Sequence, residues 1–277
     1  MYQAITLCYS RSLRIPDRKT GAAVVDYVYK DNESTMPTLS AQLTSRMGDG
    51  SGNHEAAYLN AIELLVAALS FGSMIDIGCG RGRIAEAAAG KISELVALEP
   101  DPGRCAWARA ALEKHDSVAV HQLVTHEYIA QNPGKQFNLV ILGMVLQHLS
   151  TRNCARVMSD ITTLTKDGGI VVISTTHALE STKCFTYQHV SSARITEEEF
   201  NAYADNPHAQ DKGLPVHRFS RAEFEALVPP PFEIVQWNQF SYYRPEFLPA
   251  VATVHGTDPE TLKDVGNSQF MVLKKKS

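Results

Sequence analysis

The chain has 277 residues, 44% hydrophobic and 20% charged, with a formal net charge of −4. That length suits one large domain, or a core with an appended cap, and the composition excludes disordered and fibrous classes. The slightly acidic balance argues against a dedicated nucleic-acid binder, whose footprint is a basic surface.

Five cysteines, Cys8, Cys79, Cys105, Cys154 and Cys184, are scattered without a Cys-x-x-Cys pair. Their odd number and spacing predict free thiols in a reducing, cytoplasmic compartment. His126-Glu127 lacks the second histidine of a His-Glu-x-x-His zinc site, so no metal is expected. Arg11 and Arg14 are not followed by an apolar signal core, and the apolar run over 139–146 is too short to span a bilayer. Neither nucleic acid nor membrane is therefore an expected partner, and no pattern specifies an oligomeric state.

Residues 1–53 intersperse Tyr2, Tyr9, Tyr27 and Tyr29 with Arg11, Arg14 and Arg46, while Pro16 and Pro37 interrupt any long helix. Two readings stand for this segment: an arm packed on the surface, or a lid that closes over a site. Ala57, Leu59, Ile62, Leu65 and Leu69 approach helical spacing and predict a helix from His54 to Leu69. Met74–Ile77 then reads as a buried strand that stops at Gly78, Gly80 and Gly82, with an alanine-rich helix from Ile84 to Ala89. A strand, a glycine turn and a helix make the first half of a nucleotide-type cradle. A dinucleotide fingerprint starting at Gly78 would need glycine at 83, where Arg83 stands. The pattern is instead Asp-x-Gly-x-Gly-x-Gly, beginning at Asp76.

The second strand, Leu95–Leu98, ends in Glu99-Pro100-Asp101. Glu99 follows Gly82 by 17 residues, close to the roughly 20-residue spacing of a ribose-binding acid in such βαβ units. A carboxylate can accept both ribose hydroxyl protons, whereas Asp101 also suits the first turn of the next helix. These residues resemble motif I and its companion acid in the class I S-adenosylmethionine-dependent methyltransferases. An acidic strand end suits a ligand that carries a sulfonium and an ammonium and no phosphate.

A helix over Arg104–Lys114 and a third strand over Val118–Leu123 follow. Family members usually offer the adenine amino group a polar residue after this strand, and Thr125 and Glu127 are the candidates. Phe137–Leu142 resembles the family's Phe-Asp-Leu-Val strand, with Asn138 in place of the acid. Gly143 to Leu149 then occupies the topological switch point, where open α/β sheets bind ligands. It has neither the Asn/Asp-Pro-Pro-Tyr run of adenine and glutamine methyltransferases nor the metal-binding Asp of catechol-type enzymes. Its wording resembles the small-molecule group.

A helix over Arg152–Leu164 leads through Lys166-Asp167-Gly168-Gly169, which resembles the family's Lys-Pro-Gly-Gly turn, to a fifth strand over Ile170–Ser174. Residues 178–217 form an insertion with a helix over Ile195–Tyr203, read either as a surface helix or as a substrate-covering cap. Ser220 and Glu223 make a capping-box pattern, Pro229–Pro231 ends that helix, and strands are expected over Phe232–Tyr242 and Ser268–Lys274.

The resemblance implies an α/β fold: a Rossmann-like seven-stranded sheet with helices on both faces and the last strand antiparallel. An N-terminal helical lid or arm (1–53) precedes a core (54–277) whose cap insertion (178–217) follows the fifth strand. It implies S-adenosylmethionine as cofactor, held by Asp76, Gly78, Cys79, Gly80, Gly82, Glu99, Pro100, Thr125, Gly143 and Met144. It also implies methyl transfer to an oxygen or nitrogen of a small molecule, with His148 and His177 as candidate bases at the sheet's carboxyl edge. A catalytically silent cofactor-binding module remains an alternative, and a nicotinamide-dependent oxidoreductase a weaker one.

Overall fold

The computed structural model describes residues 54–68, 72–178, 184–187, 194–206, 213–241, 248–255, 258–259 and 267–277. The arm or lid expected over 1–53 lies outside the described residues. Helix α1 (His54–Ala68) leads to β1 (Ser73–Ile77), α2 (Arg83–Ala88), β2 (Glu94–Leu98), α3 (Pro102–Leu112) and β3 (Val118–His121). Helix α4 (Thr125–Gln131), β4 (Phe137–Gly143), a 3-10 turn (Leu146–His148), α5 (Thr151–Leu164) and β5 (Thr165–Thr176) complete the alternation.

Strands β6 (Cys184–Thr186) and β7 (Arg194–Ile195), with helix α6 (Glu197–Ala204), fall within the predicted insertion, and β8 (Val216–Arg218) crosses its end at 217. The chain returns through α7 (Arg221–Ala226), β9 (Phe232–Ser241), α8 (Leu248–His255) and β10 (Asn267–Lys275). The main sheet has seven strands in the order β3-β2-β1-β4-β5-β10-β9, and a second sheet runs β7-β6-β8. Strand β10 lies antiparallel to both β5 and β9, as expected of the family's last strand.

Alternation along each buried strand explains the two layers. Ile75 and Ile77 pack with Val140, Leu142, Val171 and Ile173 against Met158 and Ile161 of α5 and Phe224 of α7. Met74 turns the other way and joins Leu139, Ile141 and Val172 against Ile62 of α1 and Ala85 of α2. Parallel strands apolar on both faces need helices on both sides, which the βαβ crossovers supply.

The fifth strand differs from expectation. It starts at Thr165, and its pairing with β4 jumps from Phe137–Thr165 to Leu139–Ile170, so Lys166–Gly169 form an irregularity inside the strand. Asn138, opposite that jump, accepts hydrogen bonds from the Ser73 amide and hydroxyl, at 3.1 Å each, and from Lys166 Nζ at 3.2 Å. Gly168 takes φ 73°, which a side chain would strain. The third strand ends at His121, two residues earlier than expected. The predicted capping box forms: Ser220 Oγ accepts from the Glu223 amide at 3.2 Å, and Glu223 accepts from the Ser220 amide at 3.2 Å.

Candidate active site

The carboxyl ends of β1, β2 and β4 open into a cleft of about 850 Å³. Its floor begins where β1 stops. Gly78, Gly80 and Gly82 all take positive φ (68°, 58° and 87°), a region glycine enters without steric penalty. A Cβ on Gly78 would stand 2.5 Å from Val145 Cγ2, so the turn and the β4 loop touch only because there is no side chain. The Cys79 amide donates to the Leu98 carbonyl at 2.9 Å, which pins the turn to the end of β2.

Glu99 faces this turn and is buried. One oxygen accepts from the Gly80 amide at 2.8 Å, the other from the Asp101 amide at 2.9 Å. Each oxygen keeps a lone pair for a further donor. Burial raises the Glu99 carboxyl above its ordinary range, and these two amides oppose that shift. Asp101 is occupied otherwise: it caps α3 by accepting from the Arg104 amide at 2.8 Å. The two acids after β2 thus divide the work, one capping a helix and one facing the cleft.

Asp76 is buried on the same wall, and its Oδ2 has no hydrogen-bond partner. Burial, and secondarily the Glu99 charge, push its carboxyl up to about 7. A buried, unsatisfied carboxylate is costly unless something cationic or donating arrives. Together with the glycine cradle, this orphaned oxygen fits a ligand bearing an ammonium and a ribose. The Cys79 thiol lines the cleft too, but burial and the two acids hold it far above its ordinary pKa, so it is no thiolate.

Beyond β3, Thr125 lines the cleft and donates its hydroxyl to Asp160 of α5. Its oxygen is left able to accept from an amino group. Glu127, the other adenine candidate, instead accepts from the Val124 amide at 3.2 Å and caps α4. Gly143 and Met144 line the opposite side. Met144 has φ 55°, the one positive value on a non-glycine among the described residues. Its amide donates to Ser174 at 2.9 Å and its carbonyl accepts from Gln147 at 2.8 Å, which hold the chain in that sparsely populated region.

His148 reaches the cleft from the 3-10 turn. Its Nδ1 lies 2.7 Å from the Pro215 carbonyl, which can only accept, so the proton sits on Nδ1. Nε2 is then the bare acceptor, 3.3 Å from Gln147 Nε2. Burial pushes the imidazole down to about 4, against the carbonyl bond that favours its charged form. At neutral pH the ring is uncharged, and its Nε2 lone pair faces the Gln147 amide.

His177 departs from expectation. It follows β5 but does not line the cleft; its Nδ1 is 3.1 Å from the Phe219 carbonyl and its ring stands edge-on to Trp237 at 6.0 Å. Trp237 of β9 and Phe219, between β8 and α7, hold it in the packing beside the main sheet. Residues that the sequence reading passed over include Gln147, Asn153, Arg156 and Asp205. Asn153, Arg156 and Val157 have the i, i+3, i+4 spacing of one helix face, a signal that was available. Asp205 was not legible, because only the docking of α6 on α5 brings it to the cleft. Asp205 accepts from Asn153 Nδ2 at 2.9 Å and Arg152 Nη2 at 3.2 Å, and Asn201 accepts from the Thr151 amide at 2.8 Å. Among the described residues no group of three or more His, Cys, Asp or Glu side chains could hold a metal, and no helix is long and apolar enough to cross a membrane.

Residues 52–228 match the protein family described as "Methyltransferase domain". Over 102 residues the chain is 26% identical to the ubiquinone biosynthesis O-methyltransferase of Rhodopseudomonas palustris (strain BisB18), a match covering 37% of this chain and 39% of that protein. The matched stretch is thus about two fifths of that relative's length. Among solved structures, the N-methyltransferase NodS from Bradyrhizobium japonicum WM9, in complex with S-adenosyl-L-homocysteine, superposes with a TM-score of 0.52 at 11% identity, covering 86% of this chain and 99% of that one. The 1,6-didemethyltoxoflavin-N1-methyltransferase of Burkholderia thailandensis gives 0.53 at 16% identity, covering 86% and 88%. At such identities these structures bear on the fold.

Proposed function

The chain belongs to the methyltransferase-domain family, and from that premise we propose that it moves a methyl group from S-adenosylmethionine to an oxygen or nitrogen of a small molecule. The observation that carries this reading is the meeting of Glu99 and the orphaned Asp76 with a glycine turn that has no room for side chains. Asp76 would face the ammonium end, Glu99 the ribose, and Leu123 to Thr125 the adenine. Gly78, Cys79, Gly80, Gly82 and Pro100 would border the cofactor on one side, Gly143 and Met144 on the other. The family relative named for O-methylation and the structural neighbours named for N-methylation support a heteroatom acceptor.

The bound cofactor supplies an already activated sulfonium methyl. What the chain must add is alignment, which can account for much of a rate enhancement. His148 adds a neutral imidazole whose Nε2 would take the acceptor's proton once the Gln147 amide gives way to the substrate, while Pro215 holds the tautomer through Nδ1. We assign no chemical role to His177.

Radiolabelled S-adenosylmethionine incubated with a panel of phenols and amines tests the reading. Transfer to at least one acceptor is expected. His148→Ala should keep cofactor affinity and lose about 10²–10⁴-fold in turnover, the usual range for general-base catalysis. Because burial holds the ring at about 4, wild-type turnover at saturating cofactor should stay level through pH 6 and fall only towards pH 4. A loss centred near the ordinary histidine value of ~6.5 would assign the base elsewhere. Saturable cofactor binding with no transfer to any acceptor would favour a silent binding module.

A further inference from the structure

We propose that the small molecule bound in this cleft carries an anionic group, a carboxylate or a phosphate monoester, and that Arg156 reads it. This rests on the methyl-transfer reading of the same site and narrows its substrate class. The first turn of α5 contains no acidic residue, yet Arg152 and Arg156 fall in its first two turns. A cation in the first turn, as Arg152 is, opposes the helix dipole, whereas Arg156 lies in the second turn, exposed at the cleft.

Arg152 is accounted for by Asp205, 3.2 Å away. Arg156 makes no hydrogen bond or ion pair among the described residues, although it lines the cleft beside Asn153 and Val157. Side chains on a helix tilt towards its N-terminus. A long side chain at this position covers the helix surface towards the end where the chain arrives from His148.

Asp205 shares the α5 wall but is engaged by Asn153 and Arg152, whereas Asp76, Glu99, Arg81 and Arg104 belong to the glycine-turn side. Asp76 and Glu99 answer the ammonium and ribose of the cofactor. Arg81 stacks on Trp107 at 4.0 Å, and Arg104 Nη1 lies 3.3 Å from where a Gly80 Cβ would stand. Arg156 is on the α5 wall, within a volume near the upper end of single-ligand pockets, which leaves space for a second small molecule. A guanidinium binds planar carboxylate or phosphate oxygens in pairs, which would orient an acceptor as well as hold it.

The test uses the full chain saturated with S-adenosylhomocysteine and titrated calorimetrically with benzoate, phenyl phosphate and neutral benzamide. At least one anion should bind measurably more tightly than benzamide, and the preferred one distinguishes carboxylate from phosphate. Arg156→Gln should weaken that anion by about 10- to 100-fold, the range for a charge-assisted hydrogen bond, and Arg156→Lys should recover part of it. Affinity for S-adenosylhomocysteine should be the same in all three proteins. Equal binding of benzamide, no binding of either anion, or an Arg156→Gln variant that binds the anion as wild type does would overturn the proposal. Failure of S-adenosylhomocysteine itself to bind would instead remove the reading of the site on which it rests.

Discussion

Asp76 carries opposite signs for stability and for binding. Its carboxyl is raised from 3.8 to about 7 in the folded protein, so the unfolded chain holds its proton less tightly than the native one. The native state is penalised as pH rises through 7, and the full penalty, about 4 kcal/mol from a shift of roughly three units, is felt above it. Asp76→Asn should therefore stabilise the cofactor-free protein at pH 8 by roughly 1–3 kcal/mol, since the amide must still find partners. The same substitution should weaken S-adenosylhomocysteine binding. A cation arriving beside Asp76 favours its charged form, so wild-type affinity should fall as pH drops below about 7, up to tenfold per unit. Calorimetry in buffers of different ionisation heat would detect the proton released; pH-independent affinity in wild type would mean Asp76 does not face the cofactor's ammonium. Glu99 and the three glycines were legible in the sequence because backbone geometry at a strand end is local. The place of His177 was not legible because its orientation depends on Trp237 and Phe219, distant in sequence and adjacent only after folding.

At the level of elements, the cleft depends on two contacts of different kinds. The glycine turn after β1 meets the β4 loop tightly, with no void. Gly78→Ala would set a methyl 2.5 Å from Val145 at φ 68°, and both atoms and backbone resist it. A loss of roughly 1–3 kcal/mol in urea denaturation is expected from overpacking and left-handed strain. An unchanged denaturation midpoint would show that the β4 loop yields freely. The second contact, α6 on α5, consists of exposed polar bonds through Thr151, Asn153, Asn201 and Asp205. Such bonds contribute little individually, and α6 is anchored mainly by Phe200, fully buried against Phe185 and His217. Asn201→Ala with Asp205→Ala should speed amide exchange across α6 while leaving the global melting temperature within a degree or two. Loss of global stability by several kcal/mol would show that these polar bonds, and not Phe200, hold α6 in place. The helix itself was legible, expected over Ile195–Tyr203 and found over Glu197–Ala204; its docking partner was not, because polar surface contacts leave no periodic trace.

For the whole molecule, the sheet was the most legible part. Apolar strands alternating with helical segments specify parallel βαβ units, and right-handed crossovers leave few orders for them. The strand pair after Pro231 follows the same logic, since an antiparallel strand needs only a reversing connection. Less legible was Lys166–Gly169, read as a turn before β5 but absorbed into it, because Asn138 supplies acceptors that hold the irregularity against β1 and β4. The central claim is that the switch-point cleft binds S-adenosylmethionine through Glu99. It is tested most directly by calorimetric titration of wild type and Glu99→Ala with S-adenosylhomocysteine, with NAD as control. One-to-one binding to wild type, none with NAD, and a loss of roughly 1.5–3 kcal/mol in Glu99→Ala are predicted, the worth of hydrogen bonds to a charged group. Equal affinity in the two proteins, or tighter binding of NAD than of S-adenosylhomocysteine, would contradict it.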